Sequence, residues 1–315
     1  MEDVNHVVYA ADNNYWMHMH VSIYSLLKNN INGRFKFYIL ADEIDKKAED
    51  KIKLLCNKAN VLDIKIIQVD STMAESLPLS SDLPYVSKLT YYKFLIGKVL
   101  NNIEAKKALY IDCDTIIKGS ISGLINIDLT ERVIGAVPDL FWPDHSKRIG
   151  LPQGIKYFNA GMLLINLEEW RRMNTESLIA DYVEQHYNKI EYKEQDVLNA
   201  ILHNFYKEIS PLFNYQVYQG ETQIEVPISS SPIVINYIGH LKPWHYMYLG
   251  TYKNRYWYYL RETPYYNYRQ EDRNFKNILV KNFVECRGHM VKGVRKIPFF
   301  YRITKKLCKL INLST

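Results

Sequence analysis

Over its first third the chain alternates between two hydrophobic patterns. Residues 6–11 (HVVYAA), 35–40 (FKFYIL), 62–69 and 108–111 are short runs rich in β-branched and aromatic side chains, which read as strands. Between them, residues 15–29 carry apolar side chains at helical spacing, including Val21, Tyr24 and Leu27, and residues 45–58 and 87–100 also read as helices. Residues 71–84, with two prolines and several serines, read as a loop. This β-α-β-α order predicts an α/β fold around a mainly parallel, doubly wound sheet. Ligands of such sheets bind outside the carboxyl ends of the strands. The middle of the chain is less regular: residues 133–137, 162–165 and 233–238 read as strands, and 167–186 and 195–204 as helices.

Composition then shifts. Nine tyrosines and two tryptophans fall between Trp244 and Tyr268, a stretch that reads as an interfacial belt, a sugar-stacking platform or core. From Lys276 onward there are ten basic side chains and one acidic one, a net +9 against +6 for the whole chain, so the remainder carries −3. This asymmetry predicts a main domain over residues 1–270 and a basic tail over 271–315 with an anionic partner. Within the tail, Phe299, Phe300, Ile303, Leu307, Leu310 and Ile311 share one helical face, with Arg302, Lys305, Lys306 and Lys309 beside it. That is the pattern of a helix lying in an anionic membrane interface, or of one packed on the body. The near-neutral body offers no basic groove, which argues against nucleic acid. The four cysteines form no CxxC pair, the acidic start does not resemble a signal peptide, and no run of 18 apolar residues occurs. Together these predict a cytoplasmic protein, peripheral on the inner face of the cell membrane.

Five segments carry candidate chemistry. Asp112-Cys113-Asp114 ends an apolar strand with two carboxylates at i and i+2, which in extended backbone face one side and suit a hard cation, Mn²⁺ or Mg²⁺; solvated carboxylates are the plainer alternative. Ala10-Ala11-Asp12-Asn13-Asn14-Tyr15 sits between the first strand and first helix, where Asp12 accepts from a base or ribose, or caps the helix, and Tyr15 can stack on a base. Asn159-Ala160-Gly161 leads into a strand and permits close backbone approach, or marks a bulge. Glu194-Gln195-Asp196 opens a helix, as a sugar-contacting cluster or as capping acids. Gly239 and Lys242 offer a flexible backbone and a point charge to a phosphate.

In this order and spacing the five segments resemble the family 8 retaining glycosyltransferases, over roughly residues 4–244. The resemblance implies a single-domain nucleotide-diphospho-sugar transferase fold, a UDP-sugar donor and Mn²⁺. It implies that Ala10, Asp12, Asn14 and Tyr15 hold uridine, that Lys93 lies near the diphosphate, and that Asp112 and Asp114 bind the metal. It also implies that Asp139, Asn159 and Ala160 line the donor sugar, that Glu194 and Gln195 stand beside the anomeric carbon, and that Gly239 and Lys242 hold the diphosphate. Gln195 is then the candidate for the far face of the sugar, with Asp139 as the reserve nucleophile; an amide is a poor nucleophile, which favours attack from the leaving-group side. Two positions depart from the pattern: Glu194 stands where the family has aspartate, a mild change that could shift sugar preference, and the larger departure concerns the metal. The third metal ligand, a histidine three residues before the glycine, is here Asn236, whose carbonyl oxygen suits Mn²⁺ less well than imidazole does. The expected activity is transfer of galactose or glucose to a glycan acceptor, lipid-linked lipopolysaccharide or surface polysaccharide. A non-catalytic sugar-nucleotide binder is the alternative.

Overall fold

The structure is a computed structural model and describes residues 4–41, 43–69, 88–218, 231–270 and 272–281. The tail face at 299–311 lies outside the described residues. Among those described, no helix is long and apolar enough to cross a membrane.

Seven strands form one sheet in the order β3-β2-β1-β4-β7-β6-β8: β1 (Val4–Ala10), β2 (Arg34–Ala41), β3 (Val61–Gln68), β4 (Lys107–Ile111), β6 (Ile134–Pro138), β7 (Phe158–Asn166) and β8 (Tyr206–Glu208). Three more, β5 (Thr115–Ile117), β9 (Tyr215–Tyr218) and β10 (Val234–Ile238), form a second sheet in the order β5-β10-β9. Strands β3, β2, β1 and β4 run parallel, as the β-α-β-α pattern predicts. Strand β7 then runs antiparallel to both β4 and β6. The doubly wound reading therefore holds for the first half, and a reversed strand interrupts it in the second.

Alternate residues of the central strands feed two cores, one on each face of the sheet. Val7, Phe37, Ile39, Leu109, Ile111, Met162 and Leu164 enter one. Val8, Tyr38, Leu40, Ala108, Tyr110, Leu163 and Ile165 enter the other. This is the period of two expected of a sheet covered on both sides. The first core is closed by the helix Trp16–Asn29, which buries Trp16, Met19, Ile23 and Leu26.

Other expectations shift. The single helix read over 167–186 is two, Leu167–Arg172 and Thr175–His186. Between them Asn174 takes the left-handed conformation, with φ +50°, which asparagine tolerates better than most residues. The helices read over 45–58 and 87–100 are partly 3₁₀, at Leu54–Asn57 and Lys88–Leu95. Strands β5, β8 and β9 have three or four residues each, too few to declare a period. Part of the tyrosine-rich stretch is core: the helix Lys253–Leu260 buries Tyr256 and Tyr259. Their hydroxyls meet His18 Nδ1 at 2.6 Å and Asn29 Nδ2 at 2.8 Å.

The chain divides into two compact units, Met1–Pro243 with Leu249–Asn267, and Trp244–Tyr248 with Tyr268–Thr315. Within the second, the Asp272 carboxylate accepts from Tyr246 N–H, and Lys281 Nζ donates to Tyr246 O.

Buried His20, set edge-on against Tyr265, has its pKa pushed down to about 3 by burial, with Lys51 adding to the effect. The unfolded chain takes up this proton below its ordinary pKa of 6.5, while the folded chain does not. Stability is therefore full above 6.5 and is lost as pH falls towards 3, at about 1.4 kcal/mol per unit. Urea unfolding at pH 7 and pH 5 should show a loss of about 2 kcal/mol from this group. A His20→Gln variant should lack that increment; an equal loss in the variant would refute the assignment.

Candidate active site

Strand β4 ends at Ile111, and residues 112–114 form a turn rather than continuing extended into β5. Asp112 and Asp114 thus approach one another through a turn, not through the alternation of an extended strand. Their backbone is pinned on both sides: Asp112 N–H donates to Gly161 O at 2.8 Å, and Tyr237 N–H donates to Asp114 O at 3.1 Å. Because β7 is reversed, its beginning lies beside the end of β4, and β10 lies antiparallel to β5 with Asn236 opposite Thr115. The sheet reversal and the second sheet thereby bring residues 112–114, 159–161 and 236 together.

The buried charges are compensated in pairs. Lys93, 1 % exposed, donates to Glu194 Oε1 at 2.9 Å and to Ala160 O at 3.1 Å, and lies 3.2 Å from Asp112 Oδ1. Burial opposes its charge, but Asp112 and Glu194 outweigh burial and hold its pKa above the ordinary value. Lys242 Nζ donates to Asp114 Oδ2 and Tyr237 O. Asp112 accepts from Tyr110 OH at 2.8 Å. Burial pushes its pKa up to about 6; Lys93 pulls against this, while Asp114 and Glu194 add to it. Two lysines therefore face three carboxylates, an arrangement with room for further positive charge.

Two oxygens are left over. Asp114 Oδ1 and Asn236 Oδ1 are buried with no hydrogen-bond partner among the described residues. Buried acceptors are rarely orphaned, and oxygen acceptors near a carboxylate pair are what a hard cation requires. Gly161 keeps the space open: a Cβ there would collide with Asn236 Nδ2 and stand 2.9 Å from Asp112 Oδ2. Among the described residues, no group of three His, Cys, Asp or Glu side chains is placed to hold a metal. The set that fits is two aspartates and an amide oxygen.

Beside these groups, Gln195 is fixed at both ends of its amide. Oε1 accepts from Ala160 N–H at 2.9 Å, and Nε2 donates to Asp139 Oδ2 at 3.1 Å. Asp139 Oδ1 accepts from the N–H groups of Phe141 and Trp142, both at 3.1 Å. Bonds and ion pairs thus join Lys93, Asp112, Ala160, Glu194, Gln195 and Asp139 into one network, with Lys242 on Asp114 alongside. Glu194 is the partner of Lys93 rather than a free acid.

The first loop is quieter. Asp12 Oδ1 accepts from Asn14 N–H at 2.9 Å and Tyr15 N–H at 3.1 Å, closing the turn ahead of the helix, whose N-cap is Tyr15 rather than Asp12, and Asn14 is exposed. Ala10 O accepts from Cys113 Sγ, tying the loop to the aspartate turn. The phenol of Tyr15 is held protonated by burial and by Asp114, Cys113, Asp12 and Asp112. Gly239 has φ +80°, and a Cβ there would stand 2.7 Å from the Tyr218 ring; both features require glycine.

Sequence reasoning missed Asn214 and Gln216, each fully buried. Gln216 bridges Leu140 N–H and Pro138 O, supporting the Asp139 turn. Their signal is two amides at i and i+2 in an otherwise apolar run, NYQVY. It also passed over Asp196 as more than a helix-opening acid. Asp196 accepts from Tyr157 OH and Arg148 and from the N–H groups of Glu191 and Tyr192, fixing the segment that carries Gln195.

The profile of Glycosyl transferase family 8 matches residues 6–248. General stress protein A of Bacillus subtilis is 28% identical, over 83% of this chain and 95% of its own length. The lipopolysaccharide 1,3-galactosyltransferase of Salmonella typhimurium is 29% identical, over 77% of this chain and 74% of its own. Among solved structures, the galactosyltransferase LgtC in complex with donor and acceptor sugar analogues superposes with a TM-score of 0.73 at 25% identity, over 82% of this chain and 96% of that one. The match spans the turn of paired aspartates, the Gln195 network and the Gly239 loop, and the chain belongs to glycosyltransferase family 8.

Proposed function

We propose that this glycosyltransferase moves a hexose, galactose or glucose, from a UDP-sugar to a glycan acceptor, with retention of anomeric configuration. The observation that carries the reading is a pair of buried oxygens, Asp114 Oδ1 and Asn236 Oδ1, that have no hydrogen-bond partner among the described residues. Asp112, Asp114 and Asn236 would hold a divalent cation, Mn²⁺ or Mg²⁺, which when bound supplies positive charge to the donor diphosphate. Lys93 and Lys242 add fixed positive charge to the same region, stabilising the charge that develops on the leaving UDP. Asp139 makes a poor nucleophile, because both its oxygens are already engaged by two backbone N–H groups and Gln195. Attack therefore comes from the leaving-group side, and the departing phosphate takes the acceptor's proton. The Gln195–Asp139 pair faces the positive charge on the sugar. The alternative of a sugar-nucleotide binder without turnover is disfavoured by the buried Asn236 oxygen, which has no partner among the described residues and would offer a third ligand at this position.

The test is UDP release from UDP-galactose and UDP-glucose after removal of divalent cations, and again with Mn²⁺ or Mg²⁺ restored. Release that depends on the cation, and is faster with one donor, is the expected result. UDP bound but never released from either donor, with lipid-linked acceptors present, would instead make the chain a binder.

The kinship with a lipopolysaccharide galactosyltransferase and the basic composition of the tail support a lipid-linked acceptor at the inner membrane face. Vesicles containing anionic lipid should bind the full chain and lose most of that binding when residues 297–315 are removed. Equal binding by the truncated chain would sink the membrane role.

A further inference from the structure

Asn236 stands where the family resemblance implies an imidazole, and an amide can ligate a metal only through its oxygen. The direction of this amide follows from a chain of bonds anchored on a backbone donor. Gly161 N–H donates to Asn159 Oδ1 at 3.0 Å, and a main-chain N–H has no second orientation. With that oxygen fixed, Asn214 must present Nδ2 to it, 2.9 Å away. This turns Asn214 Oδ1 towards Asn236, which must then donate: its Nδ2 lies 3.0 Å from Asn214 Oδ1 and 3.4 Å from Asn159 Oδ1. Turning the Asn236 amide over would set its oxygen against two others and leave a buried N–H₂ unsatisfied. Asn236 Oδ1 is therefore directed out of the amide cluster, and it is buried there without a partner among the described residues.

We propose that Asn214 is a positioning residue that holds Asn236 as an oxygen ligand. The cation seat is then oxygen alone, from Asp112, Asp114 and Asn236, and the chain takes a hard divalent cation, accepting Mg²⁺ about as readily as Mn²⁺. The inference rests on the donor-site reading above. Imidazole favours transition metals, whereas carboxylate and amide oxygens suit Mg²⁺, Ca²⁺ and Mn²⁺ alike. Neighbours that orient a ligand typically alter metal affinity 10–100-fold. Asn214, fully buried with both ends of its amide engaged in this cluster, is such a neighbour.

The test is Mn²⁺ binding to the full chain in the presence of UDP, read from the free-ion paramagnetic resonance signal, with Mg²⁺ as competitor. In the wild type the two apparent affinities should lie within about tenfold. Asn236→Ala and Asn214→Ala should each weaken both ions by about 10–100-fold, with metal-free melting as the control for fold. Asn236→His should raise the preference for Mn²⁺ over Mg²⁺ by more than about tenfold; it leaves Asn214 in place, so it tests the oxygen seat even if the Asn214 variant does not fold. Unchanged Mn²⁺ affinity in both alanine variants, or a wild type that discriminates strongly against Mg²⁺, would overturn this inference alone. A wild type that binds neither ion with UDP present would overturn the donor-site reading itself.

Discussion

An Asp114→Ala variant should lose donor turnover by about 10²–10³-fold or more while keeping its fold. Asp114 contributes two separable things. Its backbone carbonyl accepts from Tyr237 N–H, a bond that survives truncation of the side chain. Its carboxylate binds Lys242 through Oδ2 and leaves Oδ1 buried and without a partner among the described residues. Alanine removes both oxygens, so the site loses a cation ligand together with the anchor of Lys242. Removal of one group that stabilises developing charge in a water-poor site costs about 3–4 kcal/mol of barrier. Turnover measured with saturating donor and cation, with thermal melting alongside, decides the matter. A fall of less than tenfold in a folded variant would mean that the aspartate pair does not serve the leaving group.

Lys93→Met should destabilise the metal-free protein by about 3–5 kcal/mol, the cost of leaving buried charge without its partner. Methionine fills similar space, so the effect is electrostatic rather than a cavity. Lys93 is the shared cation of Glu194 and Asp112, and both carboxylates lose it at once. Two controls identify the cause. The double variant Lys93→Met/Glu194→Gln should be less destabilised than the single one, because a carboxylate that needs compensation has been removed with its partner. Saturating divalent cation should also recover part of the loss, since a ligand that binds only the folded state stabilises it. Urea midpoints for the three proteins, with and without cation, give the answer. A single-variant effect below about 1 kcal/mol would place the pair among weak surface-like ion pairs.

How far the sequence could be read depended on which signals are local. Strands β1, β2 and β4 were legible because each repeats apolar side chains over five to eight residues, long enough for a period to show. Asp112 and Asp114 were legible as the polar end of an apolar strand, but the reason given for their convergence was not the one the fold uses. A turn sets them, and nothing in Asp-Cys-Asp distinguishes a turn from continued strand. Strand β7 escaped as a reversal because a fully buried strand reads the same in either direction. That reversal puts Asn159 and Ala160 beside the end of β4, so residues at the start of one strand meet residues at the finish of another. Glu194 is pointed to by the family resemblance, yet its engagement with Lys93 depends on a contact across a hundred residues. The amides of Asn214 and Gln216 were silent for a related reason. Their partners, Asn159, Asn236 and the Pro138–Leu140 backbone, come from other strands and turns.

Cys113, between the two aspartates, makes the site its own reporter of opening. Its thiol is buried, donates to Ala10 O, and is pushed well above its ordinary pKa by burial and by Asp112, Asp114 and Asp12. A thiol without thiolate character does not react, so alkylation here has to pass through a conformation in which the aspartate turn has left its place. Cys56, by contrast, is exposed and serves as an internal standard for the reagent. With Cys286 and Cys308 replaced by serine, the ratio of the two labelling rates measures the free energy of local opening around the turn, without unfolding the protein and without any substrate.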